Sequence, residues 1–204
     1  KFCELMIESG YNKKVMYSCN MRFGAVNLEE YKLMKKAGFR LLKFGLESAN
    51  QKTLDRLNKG IKVEDILNGC AMAKKAGLTV HLTMIVGWPW ETKQKALKTL
   101  ELTKKLMTSG LADVLQATIL VPYPGTQLYK EGLKNKWFLF NPKDYERYDM
   151  SEVVFKTPDM KPEEVTNICN SIYKKVFFSP KYILRHLTKI RSKNDIKYTI
   201  RGIK

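Results

Sequence analysis

Three short segments carry residues able to hold a small polar ligand. The first is Phe44-Gly45-Leu46-Glu47-Ser48-Ala49-Asn50. A glycine inside an extended run weakens it and marks close approach of a ligand or another backbone. Two residues on, the Glu47 carboxylate can receive an ammonium or hydroxyl group. The competing reading is a plain strand end in which Ser48 caps the next helix, and the residues alone leave both open. The second segment is Ile85-Val86-Gly87-Trp88-Pro89-Trp90-Glu91-Thr92. Gly87 admits a ligand to the backbone, Pro89 stiffens the turn, and the peptide groups of Ile85, Val86 and Gly87 can hydrogen-bond a flat heterocycle. Here too a plain reading competes, with Glu91-Thr92 starting a helix and the two tryptophans packing. The third, Val121-Pro122-Tyr123-Pro124-Gly125-Thr126, is a rigid turn in which Thr126 can cap a helix. Arg22 ends an extended run and can grip a carboxylate bidentately, or pair with Glu47. His81 reads more simply as a satisfied interior histidine than as a ligand.

Nothing in the chain has the spacing of a self-contained metal site. The four cysteines, at positions 3, 19, 70 and 169, include no C-x-x-C. Sparse, unpatterned cysteines fit a reducing cytoplasm. The longest apolar runs, such as Met84-Ile85-Val86, fall far short of the roughly 20 residues of a membrane span, and Lys1-Phe2-Cys3-Glu4 does not open a signal peptide. The net charge of +17 over 204 residues reads as a lysine-rich solvated surface, or as attraction to a nucleic acid, an acidic lipid surface or a phosphorylated substrate. The basic residues spread over most helices. Only the tail, residues 181–204, concentrates them, with eight Lys/Arg against Asp195.

The elements that must position these residues repeat. Lys35-Lys36-Ala37-Gly38 returns as Lys74-Lys75-Ala76-Gly77, and Ser109-Gly110 gives a third version. Each closes a helical pattern with glycine and precedes an apolar run. Strands are expected near 15–22, 40–47, 79–86 and 113–121, parallel and joined by right-handed helical crossovers. Every one of them alternates. Lys43, Gly45 and Glu47 interleave with Leu42, Phe44 and Leu46; His81 and Thr83 with Leu82 and Met84; Gln116 and Thr118 with Leu115, Ala117 and Ile119. Buried parallel strands are usually apolar on both faces. A polar face on such a sheet needs water or a ligand, which an open, curved sheet provides and a dry closed barrel does not. The fold class is therefore α/β: a partial (β/α) barrel of about four parallel strands with a polar concave face and helices outside. It occupies residues 1–128, and 129–204 form a mainly helical extension.

The Phe-Gly-Leu-Glu-Ser strand end, the Gly-x-Pro-x-Glu-Thr turn and the Pro-Tyr-Pro-Gly-Thr turn, in that order, resemble the radical S-adenosylmethionine (SAM) superfamily. The likeness is strongest to its members with a cobalamin-binding domain, such as hopanoid methylases and anaerobic magnesium-protoporphyrin cyclase; Phe155-Lys156-Thr157 and Pro180 to Arg185 resemble their extension. tRNA methylthiotransferases and coproporphyrinogen-type enzymes are the alternatives within the superfamily, and a non-catalytic basic nucleic-acid-binding module is the alternative outside it. The resemblance implies an enzyme that cleaves SAM reductively at a 4Fe–4S cluster to a 5′-deoxyadenosyl radical, with methyl transfer from cobalamin or related radical chemistry on a small-molecule substrate. It implies that Glu47 and Ser48, with Gly45, lie near the SAM ribose and amino group. It further implies that the backbone at Ile85, Val86, Gly87, Leu120 and Val121 holds adenine, and that Arg22 reaches the SAM carboxylate or the substrate. The family's C-x-x-x-C-x-x-C loop and Gly-Gly-Glu motif have no counterpart here. The cluster ligands, the first two strands and any cobalamin domain are thus expected in an upstream part of the polypeptide. The exposed sheet edge is expected to pair with that part or with a second copy of the chain.

Overall fold

The computed structural model describes residues 1–150 and 152–187, so most of the basic tail lies outside the described residues. The chain runs α1 (Phe2–Glu8), β1 (Tyr17–Met21), α2 (Leu28–Lys36), β2 (Phe39–Glu47), α3 (Gln51–Arg56), α4 (Val63–Lys75), β3 (Thr79–Val86), α5 (Lys93–Ser109), β4 (Val114–Ile119), α6 (Gln127–Lys134), α7 (Pro162–Phe177) and α8 (Pro180–Leu187). The four strands form one sheet in the order β1-β2-β3-β4, every pair parallel. Local chemistry sets the helix ends. Asn27 and Glu30 form a reciprocal capping box at the start of α2. The glycines after α2 and α4 take positive φ, +106° at Gly38 and +78° at Gly77, as the repeat predicts.

The alternation sorts the two faces. Leu42, Phe44, Leu46, Val80, Leu82, Met84, Val86, Leu115 and Ile119 are buried beneath the helices. Phe23 stacks on Phe44 with ring centroids 4.5 Å apart and leaves no room for a side chain at Gly69 of α4. On the other face Ser18, Asn20, Lys43 and Gln116 are exposed and His81, Thr83 and Thr118 half-buried. The reverse arrangement would place Lys43 beneath a helical layer, at several kcal/mol for an unpaired ion.

The segment after β4 is less separate than its composition implies. Val165, Ile168, Cys169, Ile172 and Val176 of α7 join the same buried cluster as the sheet. The Tyr173 hydroxyl accepts the Ala117 amide proton at 2.9 Å and donates to the Ala117 carbonyl at 3.4 Å. β4 is an edge strand, and unpaired edge groups invite further pairing. Tyr173 closes that edge at its middle and leaves β1 as the other edge. Replacing Tyr173 by Phe should lower the unfolding free energy by about 0.5–1.5 kcal/mol, measured by urea denaturation. Unchanged stability would show that the hydroxyl does not hold the edge.

Candidate functional site at the carboxyl ends of the strands

Strand β2 loses its simple alternation at its carboxyl end. Gly45 pairs with Thr83, but the next paired residue, Glu47, stands opposite Met84, so Leu46 is the extra residue of a bulge. Glu47 has φ +56°, a left-handed conformation that costs a non-glycine residue about 1–3 kcal/mol. The turn folds the Glu47 carboxylate back over Gly45, where a Cβ would collide with it. Lys59, in the turn after α3, donates to Glu47 Oε1 at 2.8 Å. The pair is largely sheltered, with side-chain exposures of 32% for Lys59 and 13% for Glu47. Gly45 is therefore required for close approach, as its position in the strand predicts, and within the chain the approaching group is the Glu47 carboxylate.

Arg22 follows β1 and is exposed; its Nη1 lies beside Gly60. Glu47 takes Lys59 rather than Arg22 as its ion partner. The ends of β1 and β2 thus present two cations and one carboxylate. Ser48 lies apart from them. It is fully buried, and its hydroxyl accepts the Asn50 amide proton at 3.2 Å and sits 3.4 Å from the Thr99 hydroxyl of α5. Lys59 is the residue that sequence reasoning missed: it lies twelve positions from Glu47, and no local pattern links a lysine in a turn to a carboxylate on a strand.

The ends of β3 and β4 are apolar. Ile85 and Val121 are half-buried, and Val86 and Leu120 are buried. The Leu120 amide donates to the Val86 carbonyl at 2.9 Å, joining the two loops. Ile85, Leu120 and Val121 belong to a second apolar cluster with Leu57, Trp88, Trp90 and Trp137. Trp88 stacks on Trp90 at 5.5 Å. The Arg56 guanidinium lies 3.9 Å over the Trp90 ring, a cation–π contact, and its ion pair with Glu131 at 3.3 Å ties α3 to α6. The tryptophans thus pack, and the indole N–H groups of Trp88 and Trp90 are buried without a partner among the described residues.

Gly87 has φ +91°, and a Cβ there would press on Val165 of α7 at 3.2 Å, so this turn seats the extension. Its amide donates at 3.0 Å to Glu91 Oε2, while Glu91 Oε1 is buried with no hydrogen-bond partner among the described residues. Thr92, not Glu91, caps α5. Burial pushes the Glu91 carboxyl up to about 7, against the opposing pull of the Gly87 and Trp88 amides and Lys95. An acid set between Trp90 and a capping Thr92 was the available signal, and the helix start masked it.

The cysteines do not form a cluster-binding set. Cys3, Cys19, Cys70 and Cys169 sit on α1, β1, α4 and α7, and burial pushes the thiol of Cys70 to about 12 and that of Cys169 to about 11. Among the described residues no group of three His, Cys, Asp or Glu side chains is arranged to hold a metal ion, and no helix is long and apolar enough to cross a membrane.

Comparison with known proteins identifies the family. The profile of the radical SAM superfamily matches residues 2–103, which carry Glu47, Lys59, Gly87 and Glu91. The chain belongs to the radical SAM superfamily. It is 28% identical over 189 residues to an uncharacterised methyltransferase of Pyrococcus horikoshii, covering 93% of this chain and 40% of that protein. It is 32% identical over 168 residues to the anaerobic magnesium-protoporphyrin IX monomethyl ester cyclase of Cereibacter sphaeroides, covering 81% of this chain and 25% of that one. The chain therefore spans less than half the length of either relative. In fold it is similar to the radical SAM methyltransferase TsrM of Kitasatospora setae, solved with cobalamin and a 4Fe–4S cluster bound, with a TM-score of 0.57 at 14% identity over 65% of this chain and 27% of that one. Membership of this superfamily of enzymes implies SAM and an iron–sulfur cluster as the family's cofactors.

The buried Glu91 makes a pH-dependent contribution with a definite sign. Its folded pKa is raised, so its stabilising contribution is full below the ordinary carboxyl value and is lost as pH rises through about 7. The loss amounts to at most about 3 kcal/mol. Urea midpoints at about pH 5 and about pH 8 should therefore converge in Glu91→Gln relative to the unmodified chain. An unchanged difference would mean that Glu91 is not the buried acid responsible.

Proposed function

We propose that this chain forms the SAM-holding wall of a radical SAM enzyme. The observation that carries the reading is the Glu47–Lys59 pair, set on a bulge at the carboxyl end of β2, beside the apolar ends of β3 and β4. SAM is a nucleoside joined to an amino acid, and the site offers a part for each half. The Glu47 carboxylate receives the ammonium group or a ribose hydroxyl. Lys59 and Arg22 face the carboxylate, with Arg22 also within reach of the substrate. The absence of a side chain at Gly45 lets the Glu47 carboxylate fold back over the strand, and Ser48 fixes the loop from behind. Adenine lies against Ile85 and Val121, and the peptide groups of Val86, Gly87 and Leu120 read its edge.

When bound, the 4Fe–4S cluster supplies the electron for reductive cleavage of SAM to a 5′-deoxyadenosyl radical. The present cysteines do not fit it, so its ligands belong to an upstream part of the same polypeptide, as does any cobalamin domain used for methyl transfer. The residues of this chain orient the sulfonium and, through the tryptophan cluster, exclude water from the nucleoside. The substrate is a small molecule bound on the polar face. Residues 1–128 act as the later part of the barrel and 129–204 as an extension. The β1 edge receives the upstream strands or a second copy, and the free cysteines suit a reducing cytoplasm.

All three tryptophans of the chain lie in the cluster beside the adenine site, so intrinsic fluorescence reports on occupancy. Titration with SAM should change that emission saturably. Glu47→Ala should weaken the apparent affinity at least tenfold while shifting the melting temperature little, because removing the carboxylate also relieves the crowding over Gly45. Unchanged affinity with a large fall in melting temperature would make Glu47 structural.

A further inference from the structure

The polar face carries a second group of donors, one level below the Glu47–Lys59 pair. Asn20 of β1, Lys43 of β2 and His81 of β3 are consecutive Cα partners across three parallel strands, so they form a single row with neighbours about 4.8 Å apart. All three share the polar face. Asn20 and Lys43 are exposed, and among the described residues Lys43 makes no ion pair. His81 Nε2 is buried and has no hydrogen-bond partner among the described residues. Glu47 is the one acid among the residues of the four strands, and Lys59 holds it. Above the row lie only hydroxyl and amide groups, Thr83 and Gln116, in register with Gly45.

We propose that the Asn20–Lys43–His81 row binds an oxyanion of the substrate, a carboxylate or phosphate, and so selects an anionic small molecule for this site. The inference rests on the SAM-binding reading, which makes this face the substrate side. The chemistry is direct. An ammonium group contributes charge and three donors, and the Asn20 amide and the His81 imidazole flank it with N–H groups. A charge-assisted bond to an oxyanion is roughly twice as strong as a neutral one. Burial first, and then the adjacent Lys43, lower the His81 pKa, so the row is short of negative charge as it stands. A neutral ligand would leave Lys43 without a counter-charge.

The chain has two histidines, His81 and His186, so a 15N-histidine-labelled sample of the 204-residue chain gives two imidazole spin systems. The probes are glutarate, inorganic phosphate and the neutral analogue glutaramide, at constant ionic strength. Glutarate or phosphate should shift the His81 ring nitrogens saturably, glutaramide should not, and Lys43→Gln should weaken the response at least tenfold. A response to glutarate alone assigns the row to carboxylates, and to phosphate alone to phosphates. Equal shifts at His81 and His186, or a His81 shift that survives Lys43→Gln, would reduce the effect to diffuse attraction by a basic protein and overturn the proposal. No shift with either anion overturns it equally. SAM titration by tryptophan fluorescence on the same samples separates the two readings. Saturable SAM binding by the unmodified chain with no anion response at His81 sinks only the oxyanion row, whereas loss of SAM binding in the unmodified chain sinks the reading beneath it.

Discussion

The left-handed backbone at Glu47 organises the carboxyl ends of the strands. An extended strand would carry this side chain away from β2 in strict alternation. The bulge at Leu46 and the positive φ of Glu47 instead fold the carboxylate over Gly45, within 2.8 Å of Lys59. The conformation costs about 1–3 kcal/mol, and a sheltered ion pair with one good hydrogen bond offsets part of it. Such strain is concentrated where a group must be aimed. The consequence is a preformed pair of opposite charges packed over Gly45, with an apolar wall one strand away.

That arrangement depends on the division of the sheet into two faces. The outer rows of β2 and β3 are fully buried beneath α2, α4, α5 and α7, at roughly 25 cal/mol for each Å² of apolar area removed from water. The inner rows carry their polar groups with Lys43 and Gln116 exposed and His81, Thr83 and Thr118 half-buried. With the outer face fixed by packing, the inner face can carry Asn20, Lys43 and His81 without disturbing the core of the sheet. The helix α7 contributes on both accounts. It buries its apolar face against β3 and β4, seats the Gly87 turn through Val165, and closes the β4 edge through Tyr173.

The strands, their parallel order and their two faces were legible in the sequence because each rests on local periodicity: Lys43, His81, Thr83 and Gln116 lie where alternation puts them. Legibility stopped where long-range contacts decide. Simple parity gave Glu47 the right face for a reason the bulge replaces. Ser48 reads as a site residue because it follows Glu47, yet its hydroxyl is held by Asn50 and Thr99 behind the loop. Glu91 looked like a capping residue because Thr92 beside it is one. Lys59 and the shared core of α7 depend on segments far apart in sequence, which no pattern within a single element encodes.

The most direct measurement is a crystal structure of the chain with S-adenosylmethionine bound. The account predicts the ligand ammonium or a ribose hydroxyl on the Glu47 carboxylate, Lys59 drawn toward the ligand carboxylate, and adenine against Ile85 and Val121 with its edge bonded to backbone between Val86 and Leu120. A ligand seated elsewhere, with the Glu47–Lys59 pair undisturbed at its present distance, would contradict it.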